Sequence, residues 1–170
     1  MCLSEDFKHK AACYYEDASF GKCLRVFFSD GSSAMVLYRL AAFFQKIYLG
    51  PVGFVFAYLN KLLNGCVIGR NAAFGPGFVI MHPVGVVING GVKGGKNVVI
   101  ESGVVIGAAR NGLPVKVPAI GDNVFIGAGA KVLGGITIGN NVTIGANAVV
   151  VKDVADGLTV AGVPAKDVRK

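Results

Sequence analysis

The sequence predicts a mostly β chain: a solenoid of short strands and corners, preceded by a small α-helical N-terminal region. Three observations carry that prediction. From Ile68 onward an apolar residue returns at every sixth position, through Phe74, Ile80, Val86, Val92, Val98 and Val104, and again at Ile120, Ile126, Val132, Ile138, Ile144 and Val150. Three places after nearly all of them stands Asn, Gly or Asp. Before Asn64 that period is absent, and apolar stretches close at Gly50–Pro51 and at Asn64–Gly65. A period of six fits neither a helix face nor an alternating strand, so the chain has to coil.

The elements follow in order. Ser4–Asp17 reads as a polar helix, with Ser4 at its cap and Glu5 and Asp6 in the first turn, where the helix end favours negative charge. Ser33–Leu49 and Val52–Leu63 read as two apolar helices separated by a Gly-Pro break. Residues 1–63 are therefore taken as a helical region and residues 64–170 as the repeat domain. The longest uncharged run, Ile47–Asn60, holds 14 residues, short of the roughly 20 that a membrane span needs. These helices are expected to pack on each other, on the solenoid end or on a partner subunit, with peripheral membrane contact as the alternative.

Three six-residue sides make a coil of about 18 residues, stacked about 4.8 Å apart with the apolar marks inward. Asn71, Gly77, Asn89, Gly95, Gly107, Asn123, Gly129, Gly135, Asn141, Asn147 and Asp153 are the expected corners, because Gly, Asn and Asp tolerate the positive φ of a sharp turn. Pro83 and Glu101 break that rule, and proline cannot adopt positive φ. Their spacing of 18 residues stacks them on one edge. Broken local rules tend to mark functional sites, and His82 stands beside Pro83. Between Val104 and Ile120 about ten extra residues, roughly 110–119, are expected to loop out of the solenoid.

Composition narrows the function. The net charge of +7 comes from seven basic and five acidic residues up to Leu63, and ten basic and five acidic from Asn64 on. That excess suits a phosphate-bearing small molecule, and no basic run interleaved with aromatics points to nucleic acid. The four cysteines lack metal or disulfide spacing, as in a reducing cytosol, and no leader pattern follows Met1. A cytoplasmic chain is expected, peripheral to the inner membrane face in the alternative reading.

His82 is the only histidine of the repeat region, and His9, between Lys8 and Lys10, reads as solvated. Counting around the coil stacks His82 over Ile100, Ala128 and Ala146. Small uncharged groups below a histidine would let an extended ligand lie along the edge and reach backbone amides.

The stretches Phe78–Ile88, Ile120–Ala130, Ile144–Val154 and Val160–Lys166 closely resemble the serine acetyltransferase branch of the hexapeptide-repeat acyltransferases, and Leu37-Tyr38-Arg39 resembles that family's Tyr-Arg helix. The resemblance implies a left-handed parallel β-helix, acetyl-CoA as cosubstrate without a metal, and a small hydroxyl acceptor. It implies His82 as general base and coenzyme A contacts at Ala108, Ala128 and Ala146. It further implies that Lys166 approaches the coenzyme phosphates, and Lys152 is expected as a coenzyme contact beside it. A backbone N–H near Gly107–Ala108 would hold the oxyanion. An alcohol attacks a thioester sluggishly unless its proton leaves as the bond forms, and a neutral imidazole accepts that proton near neutral pH. The group associates as trimers, so a homotrimer is expected.

The departures from the family bear on the acceptor. The family's base-orienting aspartate aligns with Val67, and the acidic residue before the base is Met81. An Arg-His pair of the extruded loop aligns with Lys116–Val117. Met81 and Lys116 thus stand where serine would be gripped. An O-acetyltransferase acting on another hydroxyl, such as a sugar in surface-polysaccharide synthesis, is the first reading. A true serine O-acetyltransferase, a noncatalytic scaffold or coenzyme-binding protein, and an amino-sugar N-acetyltransferase are its alternatives. Glu101 is a second catalytic candidate, to orient His82 or bind acceptor, with an ordinary surface carboxylate as the competing reading. A zinc carbonic anhydrase of this solenoid class needs three histidines, and the repeat region has one.

Overall fold

The computed structural model describes residues 2–15, 17–109 and 115–168. Among them four helices lead into a parallel β-solenoid: α1 (Leu3–Tyr15), α2 (Phe20–Phe27), α3 (Ser32–Lys46) and α4 (Gly50–Asn64). Pro51 opens α4, where its missing N–H costs nothing, and Gly65 closes it in the left-handed region. The short helix α2 was not foreseen. No helix among the described residues is long and apolar enough to cross a membrane.

The solenoid has three faces. The first is built from Val67–Ile68, Val87–Ile88, Val105–Gly107, Lys131–Leu133 and Val149–Val150. The second stacks Ala73–Phe74, Lys93–Gly94, Ala119–Ile120 and Thr137–Ile138. The third stacks Val79–Ile80, Val99–Ile100, Phe125–Ile126, Thr143–Ile144 and Thr159–Ala161, with Lys166–Asp167 added antiparallel. All thirteen expected apolar marks are buried. With its four leading helices this is the mostly β architecture that was expected.

The register is less regular than a strict period of 18. Val67 pairs with Val87, Val87 with Val105, Val105 with Lys131 and Lys131 with Val149. Two residues are therefore inserted in the first coil. The ladder positions of the second coil are Ile88, Gly94, Ile100 and Ile106, and not Val86, Val92, Val98 and Val104. Period alone misses this, because each side points two residues inward, the ladder residue and the one two places before it. Both sets are apolar enough to satisfy the pattern.

The extra segment after the second coil is eight residues by this register, not ten. Its first half, 110–114, lies outside the described residues. Its return limb lies back on the solenoid: a Cβ on Gly135 would come within 2.4 Å of Lys116 Cβ, and Val117 packs against the core.

Positive φ recurs along two of the three edges, and at the third only Gly134 takes it. Gly77, Asn97, Asn123 and Asn141 take it between the second and third faces. Gly85, Gly103, Gly129 and Asn147 take it between the third and first. The edge between the first and second faces contradicts the expectation, since Asn71, Asn89, Gly107 and Gly135 do not have it. There Ala72 N–H donates to Gly69 O and Val92 N–H to Asn89 O, closing four-residue turns that run through ordinary φ.

The helices are joined to the first coil by buried polar groups. Asp6, fully buried, accepts from Arg39 Nε and Nη2 at 2.7 and 2.8 Å and from the N–H of Gly77 and Phe78 at 2.9 and 3.0 Å. Arg39 in turn donates to Phe74 O and Gly75 O, and Tyr38 Oη donates to Ala72 O. The polar helix α1 forms with Glu5 and Asp6 in its first turn as expected, but it starts at Leu3, so Ser4 lies inside it, and Asp6 and Lys10 are buried. Even His9 is bonded, Nδ1 to Gly77 O at 2.6 Å, where a solvated ring was expected.

Candidate functional site

The insertion in the first coil consists of two particular residues. Met81 N–H donates to Ile100 O, so Met81 still keeps the third-face register, while Gly103 N–H donates to Val84 O. The residues between Met81 and Val84 with no counterpart between Glu101 and Ser102 are His82 and Pro83. Proline limits φ here, and the two-residue bulge lifts the imidazole off the edge toward solvent. The side chain is 53% exposed.

The histidine has a partner that sequence reasoning missed. His82 Nδ1 lies 2.8 Å from Asp30 Oδ2, and Asp30 belongs to the turn between α2 and α3. The other carboxylate oxygen, Oδ1, accepts the N–H of Gly31 at 2.9 Å, so Asp30 is held at both oxygens. A carboxylate only accepts, so Nδ1 is the donor in this contact, and in the neutral ring that leaves the lone pair on Nε2. The clue in the sequence was slight: an Asp-Gly pair following Phe27-Phe28-Ser29.

That turn is pinned from below. Lys10 of α1, fully buried, donates through Nζ to Asp30 O, to Ser32 Oγ at 3.0 Å and to Ile80 O at 3.2 Å. Three acceptors match the three N–H groups of an ammonium. Burial pushes the Lys10 pKa down to about 8 against the attraction of Asp30. Gly31 presses so closely on the coil that a Cβ there would sit 2.2 Å from Ile80 O.

The remaining candidates fall into separate groups. Glu101 is half-buried beside Met81 on the neighbouring coil, and its carboxylate makes no hydrogen bond to His82. Its charge and that of Asp30 reach Tyr14, whose hydroxyl pKa is raised first by burial and then by these two acids. Ile100 does not stack under His82, because it pairs with Ile80 inside the core. The edge column is instead Val84, Ser102, Ala128 and Ala146, linked by Gly103 N–H to Val84 O, Gly129 N–H to Ser102 O and Asn147 N–H to Ala128 O. Lys152 and Lys166 line a cavity of about 260 Å³ at the C-terminal end of the solenoid. Gly107, Ala108 and Lys116 lie at the other edge of the first face, away from His82 within one chain. Among the described residues no three His, Cys, Asp or Glu side chains stand together as a metal would require.

Comparison with known proteins gives a consistent picture. Residues 118–152 match the family described as Bacterial transferase hexapeptide (six repeats). Over 140 residues the chain is 38% identical to a serine acetyltransferase of Helicobacter pylori, covering 82% of each protein. It is also 38% identical to a Synechococcus elongatus serine acetyltransferase over 80% of the chain, which spans only 56% of that longer relative. The Neisseria gonorrhoeae serine acetyltransferase structure superposes with a TM-score of 0.86 at 32% identity, over 99% of this chain and 65% of that one. A serine acetyltransferase solved in complex with CoA superposes at 0.83 with 27% identity, over 97% of this chain and 68% of the other.

Proposed function

The chain belongs to the serine acetyltransferase family of hexapeptide-repeat proteins, and from that premise we propose that it transfers an acetyl group from acetyl-CoA to the hydroxyl of a small acceptor. The observation that carries the reading is the hydrogen bond between His82 Nδ1 and Asp30 Oδ2. With Nδ1–H donated to the carboxylate, Nε2 is free to take the acceptor's hydroxyl proton as its oxygen attacks the acetyl carbonyl. The tetrahedral oxyanion then collapses, and coenzyme A leaves as a thiol after taking the proton back from His82.

In this reading the acetyl donor lies along the edge of Val84, Ser102, Ala128 and Ala146, whose small turn residues leave backbone amides within reach. Lys152 and Lys166, beyond its far end, supply charge for the coenzyme phosphates. Glu101 faces the acceptor side of the site. Gly107, Ala108 and Lys116 sit on a different edge, so they reach the reacting atoms only across a boundary between subunits. This supports a homotrimer with its sites between neighbours. Residues 64–170 then form the acyltransferase domain, and residues 1–63 the helical region that contributes Asp30.

Serine is the acceptor favoured by the relatives, and they lend the polysaccharide role no support. One observation favours a second hydroxyl acceptor: Met81, beside the base, brings no charge to hold an amino group. The test is thiol release from acetyl-CoA with serine, homoserine, hexoses and nucleotide sugars. Serine should drive release, and His82→Ala should reduce it by roughly 10²- to 10⁴-fold. Release that is independent of every acceptor, or unchanged in His82→Ala, would rule out the transferase reading.

A further inference from the structure

A second concave site, of about 790 Å³, opens between the C-terminal half of α3 and the edge joining the first and second faces. None of its lining residues belongs to the His82 site. Arg39, Lys46, Arg70 and Lys93 line it, and no carboxylate does. Arg39 is neutralised by Asp6. Lys46, Arg70 and Lys93 make no ion pair among the described residues.

Two of these cations are held in place by neutral groups. Arg70 Nη1 donates to Gly50 O at 3.3 Å and its guanidinium lies 5.7 Å over the Phe54 ring, while Lys93 Nζ donates to Asn71 O at 3.3 Å. Such contacts order a cation without cancelling its charge. Like charges converging on a concavity repel one another and focus a positive potential into it. The same cleft holds Gln45, whose Oε1 is the only buried side-chain nitrogen or oxygen among the described residues without a hydrogen-bond partner. A buried acceptor in that state calls for a donor. Phe43 supplies an apolar wall.

We infer that this cleft binds a small phosphate ester carrying a free hydroxyl, at a place separate from acetyl transfer. A phosphate monoester bears a charge of about −1.5 to −2 at neutral pH, which suits three uncancelled cations better than a single carboxylate does. Arg70 offers a planar fork to its oxygens, and the two lysines act as point charges. The ester's hydroxyl donates to Gln45 Oε1 once that amide turns from its buried position toward the cleft, and its carbon skeleton rests on Phe43. The inference does not depend on the acetyltransferase reading, because it uses none of that site's residues.

Calorimetric titration of the full chain tests it, with glycerol 3-phosphate as the probe and inorganic phosphate and glycerol beside it. Glycerol 3-phosphate should bind saturably and more tightly than phosphate, with no heat from glycerol. Raising salt from about 50 mM to about 300 mM should weaken it, since screening shortens the reach of the cations. The double variant Lys46→Glu/Lys93→Glu should lose at least about tenfold in affinity, and Arg70→Gln a similar factor. Saturating coenzyme A and the variant His82→Ala should both leave probe binding unchanged. Absence of binding, equal affinity in the charge-reversed variant, or displacement of the probe by coenzyme A would each overturn the assignment.

Discussion

His82 shows how much one residue's surroundings decide. Its position at a two-residue bulge lifts the ring off the edge, and Asp30 then selects the tautomer. Asp30→Asn keeps the shape but replaces an acceptor of charge by a neutral amide, which no longer favours the imidazolium formed during transfer. Turnover should fall by roughly a hundredfold or more while coenzyme A affinity holds, as read by steady-state kinetics alongside direct binding. Lys10 has a separate signature. Its pKa in the folded chain is about 8, below the ordinary 10.5, so between those values the unfolded chain holds the proton more tightly. Stability should therefore rise as pH climbs through that window. Urea midpoints of the wild type and Lys10→Met, compared across it, should shift in favour of the wild type. A constant difference would mean that another group titrates there.

At the level of elements, the turn between α2 and α3 is the piece that carries Asp30 to the coil. Gly31 has φ +77°, and its backbone abuts Ile80 O and Met81 O. Gly31→Ala adds a methyl group that meets carbonyl oxygens rather than a flexible side-chain end, so the turn has to retreat and take Asp30 with it. Turnover should drop at least about tenfold, with a loss of stability of about 1 kcal/mol or more, read from kinetics and the urea midpoint. An Ala variant with unchanged turnover would show that the Asp30 contact does not matter to the reaction. The solenoid's elements were legible from sequence because each six-residue side repeats one local solution: inward apolar residues and a turn. The inserted pair His82–Pro83 was not, since both inward positions of a side are apolar and a shift of two leaves the pattern intact. Helix α2 was missed for a different reason. Phe20, Cys23, Leu24 and Phe27 do follow helical spacing, but the helix is only eight residues long and that face stays largely exposed, with Val26 alone fully buried.

For the whole molecule, the two candidate edges pose a geometric problem that assembly would solve. His82 and the Ala128–Ala146 column occupy one edge of the first face, and Gly107 and Lys116 the other. Three chains around a common axis bring one edge of each subunit against the other edge of its neighbour. Sedimentation of the purified chain should give a trimer. Mixing His82→Ala subunits with a second variant disabled at Lys116, each inactive alone, should restore part of the activity if sites form between chains. A monomer with full turnover would exclude shared sites. Local chemistry was enough to set the coil, its apolar filling and the candidate base, because period, turn residues and a lone histidine are all read within a few positions of one another. It could not supply the partner of that histidine. Asp30 lies 52 residues before His82 in the chain, and the two meet only because Asp6, Lys10 and Arg39 bury their charges against the first coil and dock the helices there.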